Sequence, residues 1–293
     1  MSVTKIVSTI FFISVSIGLL SFSNSNTAIL HIDSSSKEIV EPAMQGSINK
    51  VFDFYQKEYG LVLQSPLDVI VSKDYEFIAE KWHDLTDGKY SKAIMSVMQF
   101  IDCQRTENIA GQAGMNLIKI CFNTEDKVTS SWLSTNKNKL DYVIAHEMMH
   151  VFQYQLSHAD NTIIEGRSKH GPQWMVEGHA TYVQLEFYSN LNWGEDRLPI
   201  LMATANESKK TLHDTFKKRR LKLPEYHLSQ YAVFLLVQKY GRQKLIEYWK
   251  SLSEYPTWEI AFQKTFGIEL AEYMDEFETL RYDKDKALSW IKA

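Results

Sequence analysis

Residues 145–153 read AHEMMHVFQ, and the reading of this stretch decides what the rest of the chain has to be. On an α-helix, residues four apart stand one above the other on one face. His146 and His150 therefore send their imidazoles to a common point, and Glu147 lies about 100° further round. The flanks, DYVIA before the motif and Met, Val and Phe within and after it, are largely apolar, which marks a core helix. Polar side chains buried on such a helix cost free energy unless they are paired or hold a metal. The two histidines fit a bidentate metal clip, and the glutamate is placed to reach a water on the metal without ligating it.

This is the H-E-x-x-H arrangement, whose physical content is zinc plus a general base. A five-residue match also arises by chance, and a single histidine on an apolar helix face is usually a hydrogen-bonded core residue. Chance supplies no third ligand, whereas catalytic zinc takes three protein ligands and keeps one position open. Downstream candidates are His158, Asp160, His170, Glu177 and His179. The stretch GPQWMVEGHATYVQ at 171–184 reads as a helix with Pro172 in its first turn. Trp174, Met175 and Val183 give it an apolar stripe, so Glu177 is expected to be a buried carboxylate in need of a partner. The bland alternative is a glutamate facing solvent. His179 is about 200° round the helix from Glu177, so the two do not easily share one ion. The extended metzincin pattern is absent, with Gln153 and Leu156 where it wants Gly and His.

HEMMHVFQ followed by WMVEGHATY is similar to the gluzincin signature, a helix carrying H-E-x-x-H and then a helix carrying W-x-x-E-G-x-A. The chain resembles the peptidase MA-like group, related to the aminopeptidase-type and thermolysin-like catalytic domains. EYHLSQYAVFLLVQKYGRQKLIEYW at 225–249 and AFQKTFGIELAEYMDEF at 261–277 have the look of that group's C-terminal helices. The likeness spans about residues 60–280, and only the two zinc segments are specific. It implies a zinc metallopeptidase holding one Zn2+ on His146, His150 and Glu177, with Glu147 as base and a peptide or protein as substrate. Tyr226 matches the place of the tyrosine that such enzymes aim at the oxyanion; Tyr231 and His227 are reserves, and a half-buried tyrosine at a helix start is the plain alternative. Thr181 and Asp141 are candidate acceptors for the histidine N–H groups. One departure matters. The G-x-M-E-N strand that anchors a substrate amine in aminopeptidases corresponds here to GQAGMNLI at 111–118, where Met115 is followed by Asn116 with no glutamate. Aminopeptidase specificity therefore does not carry over. The rival reading is a catalytically inactive, zinc-stabilised surface or partner-binding protein on the same fold, which would have no use for Glu147 as a base.

The 293 residues are 44% hydrophobic and 23% charged, an ordinary globular balance, and the net charge of −4 gives no electrostatic ground for nucleic acid as a partner. The one dense basic run, KKRR at 217–220, reads as a solvated helix end or loop. After Lys5 comes a 17-residue apolar run and then SNSNT, which reads as an export signal or an N-terminal anchor over 1–23. A membrane association would run through that segment alone. The serine-rich 24–37 reads as a flexible leader, and 38–293 as one catalytic unit. Cys103 and Cys121, the only two cysteines, either pair or remain as buried thiols. The expected fold is α+β: a small N-terminal α/β part with a short sheet, then a mainly helical half. Expected elements are a helix over 38–59 ended by Gly60, a strand over 67–72, a helix over 74–85 and a strand or hairpin over 108–123. Helices follow over 139–156, 173–189, 226–240, 243–252, 257–266 and 268–281.

Overall fold

The structure is a computed structural model that describes residues 26–88, 108–124, 127–158, 171–189, 194–216 and 221–293. The apolar run at 6–22, Cys103, Asp160, His170 and the 217–220 basic run lie outside the described residues. Among the described residues no helix is long and apolar enough to cross a membrane. The α+β expectation holds, with a four-stranded sheet in the N-terminal part followed by helices.

The sheet runs in the order β1 (Ala28–Ile32), β2 (Leu67–Ser72), β4 (Leu117–Asn123), β3 (Asn108–Ala113). β1 pairs with β2 and β2 with β4 in parallel, while β3 pairs with β4 antiparallel, Gly111 opposite Ile120. Period-two alternation assigns the two faces. Leu67, Val69 and Val71 of β2, with Ile118, Ile120 and Phe122 of β4, face the main core. Ile70, Leu117 and Cys121 face the other way, onto Ile78, Ala79 and Trp82 of helix α2 (Tyr75–Leu85). Cys121 is disulfide-bonded, and the chain has only one other cysteine.

The expectation of a flexible leader over 24–37 is corrected by β1. Ala28, Leu30 and Ile32 pack on the core while Ile29 and His31 point outwards. His31 Nε2 meets Asp68 Oδ1 at 2.7 Å, and Leu67 N donates to Thr27 O. The serines that suggested a loose segment form a turn instead. Ser35 and Ser36 hydroxyls both donate to the Asp33 carboxylate, and so does Ser72 from β2. That turn leads into α1 (Lys37–Tyr59), which Gly60 ends in the left-handed conformation at φ 64°, with its N–H on Gln56 O.

The motif helix is α3 (Ser130–Ser157), and it starts nine residues before the expected 139. Thr129 caps it by accepting from Trp132 N, and Leu133, Asn136 and Leu140 continue its buried stripe through a polar stretch. Its partner α4 (Gln173–Ser189) is buried almost all round, with Trp174, Met175, Ala180 and Val183 fully enclosed. After α5 (Leu198–Ala205) and the one-turn α6 (Leu212–Thr215), neither of which was expected, comes α7 (Leu223–Tyr240). Helices α8 (Arg242–Ser251), α9 (Trp258–Phe266), α10 (Leu270–Leu280) and α11 (Lys284–Lys292) complete the chain. The last was also not foreseen; Ala287 and Trp290 bury its inner face.

Gly178, directly after Glu177, sets the crossing of α4 and α7. A β-carbon there would run into the Ser229 carbonyl and lie 3.0 Å from Val233 Cγ2. Backbone on one side cannot yield without separating the helices. Gly178→Ala is therefore expected to lower stability by about 1–3 kcal/mol, the usual cost of overpacking. Denaturant titration measures it; a change within about 0.5 kcal/mol, the range of a neutral surface substitution, would contradict the close crossing.

At the far end of α4 a second buried carboxylate, Glu186, shows what a purely structural one needs. Tyr59 and Tyr182 hydroxyls donate to it, and Arg242 does so through Nε at 3.2 Å and Nη2 at 2.7 Å. Arg242 also reaches Glu58, so the cluster ties α1, α4 and α8 together. Glu177 is partnered differently, by Gln173 and two histidines.

Candidate metal centre

The structure brings His146, His150 and Glu177 together, with their side chains only 12–15% exposed. His146 Nε2 and His150 Nε2 lie 3.1 Å apart. Glu177 Oε2 stands 3.3 Å from the first and 3.4 Å from the second. Three donor atoms thus form a nearly equilateral triangle. Ligands bonded to zinc at 2.0–2.1 Å in tetrahedral geometry are about 3.3–3.4 Å apart, which the triangle matches on two edges and approaches on the third.

The other atom of each ligand is engaged by a glutamine. His146 Nδ1 is 3.2 Å from Gln184 Oε1, and His150 Nδ1 is 2.8 Å from Gln153 Oε1. Glu177 Oε1 accepts from Gln173 Nε2 at 2.8 Å. Amide oxygens only accept, so each Nδ1 carries a hydrogen, and in a neutral ring Nε2 is then the atom with the lone pair. Two such lone pairs would face each other beside a carboxylate oxygen, an arrangement that a metal ion or a shared proton can satisfy. The residues present fit a zinc ion. In the protein alone the balance is kept by a proton. Burial opposes charging His150, but the Glu177 carboxylate outweighs it and pushes the imidazole up to about 9. Glu177 is held well below the usual carboxylate range: burial would raise it, and the charge and hydrogen bonds of His150 and His146 prevail.

Glu147 lies on the same helix, 7% exposed, against the edge strand β3. A β-carbon on Gly111 would sit 2.5 Å from Glu147 Cγ and 2.7 Å from Val143 Cγ1, so the glycine makes room for the carboxylate. Burial raises its pKa, the charges of His146 and His150 counter this, and Glu177 raises it further; the net direction is up. A carboxylate pushed towards neutrality is a better proton acceptor at working pH than an ordinary one.

Tyr226, in the first turn of α7, brings its ring to 6.4 Å from that of His146. Tyr231 belongs elsewhere: it is fully buried, packed on Phe234 and Phe277, with its hydroxyl unpartnered among the described residues. His227 turns towards Glu207, 4.0 Å away. Of the other ligand candidates, His158 caps α3 in the left-handed conformation, exposed, and takes no part in the triangle. His179 is buried with Nδ1 accepting from Trp249 Nε1 at 2.8 Å, and burial pushes its pKa down to about 3.

The expected acceptors for the histidines are corrected. Asp141 is taken by Ser47 Oγ at 2.5 Å and Lys50 Nζ at 2.9 Å, because α1 packs across α3 at that point. Thr181 Oγ1 finds no partner among the described residues. Gln153, Gln173 and Gln184 do the work instead. Their signal was present as spacing: Gln153 stands three after His150, and Gln173 and Gln184 stand four before and seven after Glu177, each on the ligand's helix face.

Residues 94–280 match the model of DUF6055, a family of unknown function, and the chain belongs to that family. All the residues of the centre fall inside the matched segment. No curated protein and no solved structure matches the chain.

Proposed function

We propose that this chain is a zinc-dependent metallopeptidase that cleaves peptide bonds in a peptide or protein substrate. The observation that carries the reading is the triangle of His146 Nε2, His150 Nε2 and Glu177 Oε2, with edges of 3.1, 3.3 and 3.4 Å, beside a buried carboxylate on the same helix. Zinc held there supplies Lewis acidity that polarises a carbonyl and acidifies water. Glu147 takes the proton from the attacking water and returns it to the leaving amine. Tyr226 donates to the oxygen on which negative charge develops. The gluzincin likeness of the two helices supports the same assignment. A centre that only stabilised the fold would have no reason to hold Glu147 in a buried wall, where an unpaired carboxylate is costly.

The test is cleavage of a mixed peptide library by the zinc-loaded chain, read by mass spectrometry with and without chelator. Chelator-sensitive cleavage restored by zinc is the expected result, and casein digestion separates a broad peptidase from one dedicated to a single target. A zinc-loaded chain that cuts nothing would favour the inactive, partner-binding reading.

The tyrosine assignment has its own test. Tyr226→Phe is expected to lower turnover on the order of 100-fold with little change in KM, since a hydrogen bond to developing charge acts mainly in the transition state. Tyr231→Phe is expected to turn over normally because its ring is buried in the helical core. Parallel kinetics decide: a crippled Tyr231 variant beside a normal Tyr226 variant would reverse the assignment.

A further inference from the structure

We infer that Gln153, Gln173 and Gln184 are positioning residues that fix, before any metal arrives, which atom of each ligand is presented to it. The inference rests on the metal reading above and adds the means by which the site is preset.

The two glutamines on the histidines are arranged reciprocally. Gln153 lies on α3, the histidine helix, and its Nε2 donates across to Val176 O on α4 at 3.0 Å. Gln184 lies on α4, the glutamate helix, and its Nε2 donates back to Tyr142 O on α3 at 3.1 Å. Each amide nitrogen must face a carbonyl, so each amide oxygen must face an imidazole. That orientation admits only an N–H at Nδ1 of His146 and of His150, and it leaves Nε2 of both rings for the metal. The hydrogen bonds that hold α3 and α4 in register are thus the ones that set the ligand tautomers. Gln173 applies the same logic to the carboxylate. Its donation to Glu177 Oε1 occupies that oxygen and leaves Oε2, the atom nearest both rings, as the single donor.

All three supports are neutral amides. Histidine ligands are more often oriented by carboxylates or backbone carbonyls. With amides, the orientation comes with no added charge, and Glu177 is the only anion among the ligands and their glutamine supports.

The experiment measures zinc affinity by chelator competition in wild type, Gln184→Leu and Gln184→Glu, with the thermal midpoint of each metal-free protein alongside. The leucine variant loses both the acceptor for His146 and the strap to Tyr142. It is expected to bind zinc about 10–100-fold more weakly, the usual effect of removing such an orienting partner. The glutamate variant keeps an acceptor for His146 but cannot donate to the Tyr142 carbonyl. It is expected to recover wild-type affinity or exceed it, even where its midpoint falls with that of the leucine variant. A purely structural strap predicts the opposite, a glutamate variant as weak as the leucine one, and that result would overturn the inference. So would a leucine variant as tight as wild type. Wild-type protein that takes up no zinc would overturn the metal reading itself, and this inference with it.

Discussion

Glu147→Gln is expected to keep its zinc and its fold while losing about 10²–10⁴-fold in turnover, the range for a positioned general base. The amide is nearly isosteric with the carboxylate, so its fit in the space left by Gly111 survives. What disappears is the ability to take a proton from water. Glu147 is not one of the three atoms in the triangle, so metal content should stay at wild-type level. Stability should hold or rise slightly, because a carboxylate that burial pushes towards neutrality is replaced by a group that is always neutral. Steady-state kinetics with metal analysis of the same sample check all of this. Near-normal turnover would assign the base to another residue or remove the peptidase chemistry.

Glu177→Ala is expected to act on binding rather than on the chemical step. Structural zinc sites draw about ten or more kcal/mol from their ligands together; on that scale, removing one of the three candidate ligands should weaken affinity on the order of 10³-fold. The pH dependence of zinc uptake follows from the proton it displaces. His150 titrates at about 9 in the metal-free protein, well above an ordinary imidazole. At pH 7.5 it carries a proton that zinc must expel, so wild-type affinity should rise with pH until that value is passed. The sign for stability is the reverse: the His150–Glu177 pair stabilises the metal-free fold most between pH ~4.5 and ~6.5; the contribution is lost as pH rises through about 9, and on the acid side as Glu177 takes up a proton. Calorimetry in buffers of different ionisation enthalpy should report about one proton released per zinc in wild type. A Glu177→Ala protein with full, tight zinc loading would move the third ligand elsewhere, with Asp160 the first candidate.

The three candidate ligands were legible in the sequence because each sits on a long helix whose period is regular. His146 and His150 follow from spacing alone, and Glu177 from the cost of burying a carboxylate on an apolar stripe. Part of what surrounds them was not legible, for a common reason. Asp141 points from the same helix and has the right chemistry for a histidine partner, but α1 brings Ser47 and Lys50 to it across 94 and 91 residues of chain. β1 was hidden in the same way. Its five residues gain their meaning from a parallel partner that begins at Leu67, and the neighbouring serines resemble a linker until Asp33 gathers their hydroxyls. Between Tyr226 and Tyr231 the sequence offered two phenols on one helix about 140° apart. Packing separates them, one beside His146 and the other against Phe277.

Whether His146, His150 and Glu177 hold one zinc ion is decided by diffraction data collected across the zinc absorption edge from crystals of the zinc-treated protein. The expected result is a single anomalous peak about 2 Å from His146 Nε2, His150 Nε2 and Glu177 Oε2, with both Nδ1 atoms still on their glutamines. A triangle closed by a direct His150–Glu177 contact in the presence of zinc, with no anomalous peak inside it, would rule out the metal centre.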